Sequence, residues 1–369
     1  MHIEDIRLAD GGHVVFRPLV VPASIDDADA GDFLAFTDVR NRIAREITGH
    51  DDHAYTPAAL LEYFRPDPHW HRESWSILLD GELVGRMLIA VPLENGSNNF
   101  EWTIELLPAA WRRGIGGAAY PHVEASALEH GRTVLQSWAD HPESPGERLA
   151  APTGFGSVPR SDRAARFFLR HGYTLAQVER FSRLDLTTAR PRVERLHAEA
   201  VAAASGYRVV QWQLPTPSEF VEGYAWMKSR MSTDSPAGEF EWDEEIWDAA
   251  RLARMEARYL GGGQTVLVTA AQHEASGRLC AFNELVIGPD HSQVTHQEDT
   301  LVLREHRGHR LGMLVKCTGL LAWMRLMPSS SHAVTFNAEE NRPMLDINEA
   351  IGYVPVSYPS GWKKVLDPA

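Results

Sequence analysis

At 369 residues the chain is longer than one hydrophobic core usually organises, so two domains are expected. Hydrophobic residues at 44% and charged residues at 23% are ordinary for a globular protein, and no apolar run is long enough to span a bilayer. The 50 acidic residues against 36 basic ones give a formal charge of -14, which argues against non-specific nucleic-acid binding and mildly favours amine-bearing partners.

The first residues, Met1-His2-Ile3-Glu4-Asp5, are acidic and unlike a signal peptide. Cys280 and Cys317 make no disulfide framework, so small core residues in a reducing cytoplasm are expected. Residues 13–16 read as a strand, and 27–47 carry helical apolar spacing. The strand-like runs 74–79 and 83–90 are joined by Asp80-Gly81, a hairpin turn pair. A strand at 100–107 leads to Trp111-Arg112-Arg113-Gly114-Ile115-Gly116-Gly117, and the helix over 116–131 ends on a glycine. A strand at 133–139 and a Pro/Gly/Ser-rich loop at 141–160 follow. Ser161-Asp162-Arg163 then opens a helix that stops at His171-Gly172-Tyr173.

The second half repeats this order. A strand is predicted at 207–214, helices at 218–231 and 244–259, and a hairpin at 265–272 and 278–287. A strand at 297–303 precedes Arg307-Gly308-His309-Arg310-Leu311-Gly312, followed by a helix at 311–327, a strand at 332–337 and a helix at 341–350. Ile351-Gly352-Tyr353 closes it, as His171-Gly172-Tyr173 closes the first half. The Ala/Arg/Glu-rich stretch 187–206 reads as a linker between domains at 1–186 and 207–369.

Both Gly/Arg stretches stand where a strand hands over to a helix. Successive backbone N–H groups converge on an anion only where side chains leave room, and the helix dipole favours negative charge there. Gly114, Gly116 and Gly117 leave that room in the first copy, with Arg112 and Arg113 as charges. Gly308 and Gly312 do so in the second, with Arg307, His309 and Arg310. The plain alternative is a glycine-rich turn carrying solvated arginines. A dinucleotide fingerprint does not fit, since the Gly-x-Gly-x-x-Gly spacing is absent.

With this order, the chain resembles the GCN5-related N-acetyltransferase (GNAT) superfamily in its tandem form, over roughly 10–186 and 207–366. The resemblance implies an α/β (α+β) architecture of two domains, each a mixed, largely antiparallel central sheet flanked by helices. It implies acetyl-CoA as cosubstrate, its pyrophosphate on the signature Gln/Arg-x-x-Gly-x-Gly/Ala, and transfer to a primary amine of a small molecule or peptide-like metabolite. Cofactor contacts are then implied at Leu301, Val302 and Leu303, at Arg307, Gly308, His309, Arg310, Leu311 and Gly312, and at Asn337 and Asn341. In the first copy they are implied at Arg112, Arg113, Gly114, Gly116 and Gly117. The chain departs from the pattern at Trp111, where the family has Gln or Arg, and at Arg310, where it has glycine. The family's Asn is matched by Asn341 but by Ser161 in the first copy. Its acid tyrosine is replaced by Phe168 and Asn348, so neither copy carries the usual acid. Arg307 and Asn341 favour the second half as the catalytic one.

An alkylamine with a pKa of about 10.4 must lose a proton before it attacks a thioester. Two-residue alternation along the strand before the second motif puts His296, Glu298 and Thr300 on one face. Glu298 is the leading base candidate, His296 a water-relayed second and Glu105 of the first copy a weaker third; the alternative is an exposed or ion-paired strand end. Backbone N–H groups near Leu303 are candidate polarisers of the thioester carbonyl. The segment 239–245 reads either as an acidic helix start with core aromatics or as a wall for an ammonium group. His50-Asp51-Asp52-His53 and His69-Trp70-His71 lack recognised ligand spacing, and no metal is expected. The expected partner is a small amine, with no nucleic acid and no membrane, for a monomer or homodimer. The rival reading is a non-catalytic acyl-CoA-binding or protein-interaction module with degenerate domains.

Overall fold

The computed structural model describes residues 5–367 apart from 95, 143, 292 and 293; the acidic start at residues 1–4 lies outside them. In chain order the first half holds β1 (Ile6–Arg7), β2 (His13–Pro18), α1 (Gly31–Thr48), α2 (Pro57–Phe64), β3 (Trp70–Leu79), β4 (Glu82–Pro92) and β5 (Asn99–Leu106). Then come α3 (Ile115–Glu129), β6 (Val134–Ala139), β7 (Arg148–Ala150), β8 (Ser157–Pro159), α4 (Arg163–Arg170), β9 (Thr174–Asp185) and α5 (Leu186–Ala203). The rest comprises β10 (Tyr207–Gln213), α6 (Ser218–Asp234), α7 (Ala249–Gly261), β11 (Thr265–His273), β12 (Leu279–Ile287), β13 (Thr295–Val302), α8 (Leu311–Leu326), β14 (His332–Ala338), α9 (Arg342–Ile351), β15 (Val354–Ser357) and β16 (Ser360–Val365). Among the described residues no helix is long and apolar enough to cross a membrane.

The chain divides into two compact units, Met1–Val178 with Ala237–Asp243 and Ser357–Ala369, and Glu179–Pro236 with Glu244–Val356. The first unit's sheet runs β1-β2-β3-β4-β5-β6-β16 and ends on the opening residues of β9. All its neighbours are antiparallel except β5 and β6. The hairpin expected at Asp80-Gly81 is present, with both residues left-handed (φ 52° and 90°), as a two-residue turn that follows strand twist requires. Its core gathers Trp75, Ile77, Met87, Ile89, Phe100 and Trp102 from the strands with Ala119, Tyr120 and Val123 of α3.

The second unit's sheet runs from the closing residues of β9 through β14, β13, β12 and β11 to β10, with β13–β14 as its parallel pair. Residues 187–206, read as a linker, instead lie largely in α5, whose Asp185 cap accepts from the Thr187 N–H. Ala189, Val193, Leu196 and Ala200 of that helix are buried in the second unit's core. Their 3–4 spacing is an amphipathic stripe that the Ala/Arg/Glu composition disguises.

Two segments remote in sequence complete the first unit. β16 is inserted between β6 and β9, with Trp362 fully buried and stacked on Phe168 at 4.9 Å. In the stretch 237–243, Phe240 packs on Trp138 at 5.1 Å, Lys363 bonds Glu241 at 2.6 Å, and Asp243 accepts from Ser97 at 2.6 Å. That segment is therefore a structural brace: its aromatic Phe240 and its carboxylates Glu241 and Asp243 are already engaged, and the ammonium-wall reading does not hold for them.

Candidate active site

Among the described residues each unit shows a parallel strand pair that begins joined and then parts. β5 and β6 pair only at Asn99–Val134, Phe100–Leu135 and Glu101–Gln136, and β13 and β14 only at Thr295–Ala333 and His296–Val334. A hydroxyl stitches each fork: Ser137 Oγ donates to the Trp102 carbonyl at 2.8 Å, and Thr335 Oγ1 to the Gln297 carbonyl at 3.1 Å. Beyond the fork the two strands of each pair no longer pair with each other.

The turn after each splayed strand has the same backbone in both units. Arg112 and Gly114 are left-handed (φ 63° and 89°), and so are Gly308 and Arg310 (φ 91° and 55°). Glycine and arginine are exchanged between these two positions. A left-handed arginine costs about 1–2 kcal/mol, so each unit keeps one strained cation beside the helix start. The departure at Trp111 has a similar account. Trp111 Nε1 donates to the Leu106 carbonyl at 2.8 Å, as Arg307 Nε donates to the Val302 carbonyl at 3.2 Å. Both donors reach back five residues and tie the turn to the strand end. The missing charge at Trp111 is replaced by Arg163, whose guanidinium lies 4.1 Å over the indole ring.

Glycine serves packing at one position of each turn. A Cβ on Gly116 would lie 3.2 Å from the Phe167 ring, and one on Gly312 would lie 3.0 Å from Ile347 Cδ1. Gly117, by contrast, has nothing within 4 Å and lines an open groove.

The first unit's groove, about 410 Å³, runs beside the turn and α3. Arg112, Arg163, Arg166 and Arg170 line it, and no carboxylate does. The last three recur at helical spacing on α4, whose Asp162 cap accepts from Ala164 N at 2.8 Å. Arg113 is not on this wall: its Nε donates to Asp10 at 2.7 Å. The groove of the second unit, also about 410 Å³, holds Arg307 and Arg310 but equally Asp234 and Glu340, so its formal charge is zero against +4. Of the residues expected there, Leu301, Val302, Arg307, Gly308, Arg310, Leu311, Gly312 and Asn341 line it. His309 instead packs on Tyr207 at 5.3 Å, and Asn337 accepts from Asn348 at 2.6 Å. Leu303 is buried, and its N–H donates to the Cys280 carbonyl at 3.0 Å, so that group is not available to a thioester.

Within the first fork a smaller cavity of about 90 Å³ lies among Trp102, Trp138, Phe167 and Phe168, with Glu105 and Asp140 at its polar side. Glu105 is a poor base. Burial opposes its charge, but Arg86, bonded at 2.6 Å, and nearby Arg40 hold the carboxyl below the usual range. Asp140, at the end of β6, behaves oppositely. Burial, then the neighbouring Glu105 carboxylate, pushes it up to about 6, and no hydrogen-bond partner holds it among the described residues. The Arg163-Arg166-Arg170 row is legible in the sequence from its helical spacing, whereas nothing local distinguishes Asp140.

In the second unit the alternation assumed for β13 is broken. Gln297 faces Leu285 and Thr300 faces Asn283, so Glu298 and Asp299 together oppose Glu284 in a bulge. Asp299 therefore joins Glu284: Lys228 Nζ donates to Asp299 at 2.6 Å and to Glu284 at 3.1 Å, and the Tyr224 hydroxyl donates to Glu284. Burial alone would lower the Lys228 pKa, but the two carboxylates outweigh it and raise it. Glu298 is solvent-exposed on β13 and does not line the groove. Loss of surrounding water, then Asp299 and Glu284, push its carboxyl up to about 7. His296 lies on β13 beside the fork and does not line the groove. Asn348, at the family's tyrosine position, is buried and accepts from Lys316 Nζ at 2.7 Å, while Phe168 is buried beside Trp362.

The sequence matches the acetyltransferase (GNAT) family over residues 38–155. No curated protein matches the chain. Among solved structures it is similar to a tandem GNAT protein from the clavulanic acid biosynthesis pathway, at TM-score 0.72 and 23% identity, covering 96% of this chain and 99% of that one. It is also similar to a GCN5-related N-acetyltransferase from Sphaerobacter thermophilus, at TM-score 0.61 and 14% identity, covering 96% of both chains. A GCN5-related glucosamine N-acetyltransferase region of a fungal multi-domain GH3 β-N-acetylglucosaminidase aligns at TM-score 0.56 and 13% identity, over 95% of this chain and 38% of that one. The acetyltransferase (GNAT) family is thus matched within the first half, and the chain as a whole has the fold of tandem GNAT proteins.

Proposed function

We propose that the chain is an acetyl-CoA-dependent N-acetyltransferase acting on a small primary amine, and that its first unit carries the reaction. The observation that supports this most is the groove lined by four arginines and no carboxylate beside a glycine-opened turn. Its chemistry fits the phosphates of acyl-CoA: bare backbone at Gly117 permits close approach, and Arg112, Arg163, Arg166 and Arg170 supply charge-assisted donors. When bound, acetyl-CoA supplies an acyl thioester. Arg163, common to the groove and the fork cavity, links the phosphate-facing wall to the reacting end.

Asp140 is the proposed general base. Its carboxyl, pushed up to about 6, is mostly ionised at neutral pH and basic enough to take a proton from an ammonium group. Glu105, kept ionised by Arg86, attracts the same cation without accepting its proton. Trp102, Trp138, Phe167 and Phe168 wall the cavity and limit water beside the amine. The neutral amine nitrogen then forms the amide C–N bond as the thioester C–S bond breaks. A thiol pKa of roughly 8.5 lets the departing sulfur take its proton from solvent, so the missing tyrosine is no obstacle.

A second reading, with transfer in the second unit, has Glu298 and the bulge in its favour. Calorimetric titration with acetyl-CoA and a thiol-release assay separate the two. Arg163→Ala with Arg166→Ala should weaken binding at least tenfold, and Arg307→Ala with Arg310→Ala should leave turnover intact. The opposite pattern moves the reaction to the second unit. Binding without turnover across a panel of amines would favour the non-catalytic module.

A further inference from the structure

We infer that the first unit holds a site for a zinc-like divalent transition metal, formed by His71, Glu73 and His130. His71 and Glu73 are two residues apart on β3 and so share one face of the sheet. His130 caps the C-terminal end of α3, which brings its imidazole to 5.4 Å from that of His71. One donor atom from each residue lies within 4.8 Å of the others, and among the described residues no other such group of three or more occurs.

The donor chemistry argues for the site independently of proximity. His130 Nδ1 lies 2.8 Å from the Ser126 carbonyl, an oxygen that can only accept. Nδ1 must therefore carry the proton, which leaves the Nε2 lone pair free. Metal-bound histidines are oriented in this way, by a backbone carbonyl on the far nitrogen. His71 Nε2 lies 2.9 Å from Glu73 Oε1, so these two donors already converge. On binding, the His71 proton passes through solvent from Nε2 to Nδ1, so the ring stays neutral and offers its Nε2 lone pair, and the Glu73 carboxylate becomes a ligand. Donors around a tetrahedral zinc ion sit about 3.3 Å apart with bonds of 2.0–2.1 Å, so small side-chain rotations suffice to close the set. Two imidazoles and one carboxylate suit borderline ions such as zinc or nickel, not calcium or magnesium.

His71 belongs to the His69-Trp70-His71 run; His69 itself turns to Glu94 at 3.4 Å. The sequence hid the site because its third ligand lies 59 positions further along the chain. The metal would tie β3 to the far end of α3 from the signature turn, about 22 Å away at 1.5 Å per residue, so its role is to brace the unit and not to enter the chemistry.

The test uses untagged full-length protein and zinc chloride, with nickel chloride as a second probe. Isothermal titration should give one site per chain with a dissociation constant in the micromolar range or tighter. The melting temperature should rise with zinc. His130→Ala and His71→Ala should each weaken binding at least tenfold and remove the rise, with circular dichroism and acetyl-CoA affinity unchanged. Glu73→Gln should weaken binding less, since a neutral oxygen donor remains. No binding to the unaltered protein, or binding that survives both histidine variants, overturns the inference.

Discussion

The exchange of glycine and arginine between the two turns allows both the strain and the site to be measured. In Arg112→Gly and Arg310→Gly a left-handed side chain costing about 1–2 kcal/mol is relieved. Glycine loses roughly 0.5–1 kcal/mol more backbone freedom on folding, which offsets part of the gain. For Arg310 the ion pair with Glu199 at 3.2 Å is also lost, but both partners are about half exposed and the pair is worth less than about 1 kcal/mol. Arg112→Gly should therefore unfold in urea at a free energy between unchanged and about 1 kcal/mol above the parent, and Arg310→Gly within about 1 kcal/mol of it in either direction. Binding should separate them. A charge-assisted contact contributes about 1.5–3 kcal/mol, so loss of Arg112 from the first groove should weaken acetyl-CoA binding about 10- to 100-fold by calorimetry. Loss of Arg310 from the electrically neutral second groove should change it less than threefold. Destabilisation of both variants by more than about 1 kcal/mol would refute the strain argument. Weakened binding in Arg310→Gly alone would refute the choice of unit.

Asp140→Asn should lower turnover by at least about 100-fold while leaving stability equal or higher, because it removes an unpaired carboxylate from a crowded cleft. In the parent, activity should fall as pH drops through about 6, and this limb should vanish in the residual activity of the variant. Gly312→Ala should destabilise by about 1 kcal/mol, since its Cβ would meet Ile347 Cδ1 at 3.0 Å; Gly117→Ala, with open space, should stabilise by a similar amount yet weaken acetyl-CoA binding. Burial lowers the Lys316 pKa to about 7 from an ordinary 10.5, so the unfolded chain binds more protons between those values. Stability should accordingly rise from pH 7 towards pH 10, and Lys316→Met should flatten that slope in urea titrations, which an unchanged slope would contradict.

The features legible in the sequence are those with local causes. The Asp80-Gly81 hairpin, the two strand–turn–helix signatures and the glycine-ended helices at Gly172 and Gly352 all sit where turn chemistry and apolar spacing put them. The features that escaped depend on partners far along the chain. The stretch 187–206 looked like a linker because α5 shows its apolar stripe only against the second core. Glu298 was placed by alternation, which holds only while strand and neighbour keep register, and the bulge opposite Glu284 broke it.

Residue order alone specifies the repeated architecture and the two glycine-and-arginine turns that open a helix, because backbone conformation and amphipathic period are set within a few residues. Tertiary structure decided which groove is basic, by laying the Arg163 face of α4 along the first turn while Asp234 and Glu340 neutralise the second. It also decided that Asp140 rather than Glu105 is near neutrality, since Arg86 and Arg40 reach one carboxylate and not the other. Desolvation and charge pairing act through space, and the order of residues along the chain does not encode them directly.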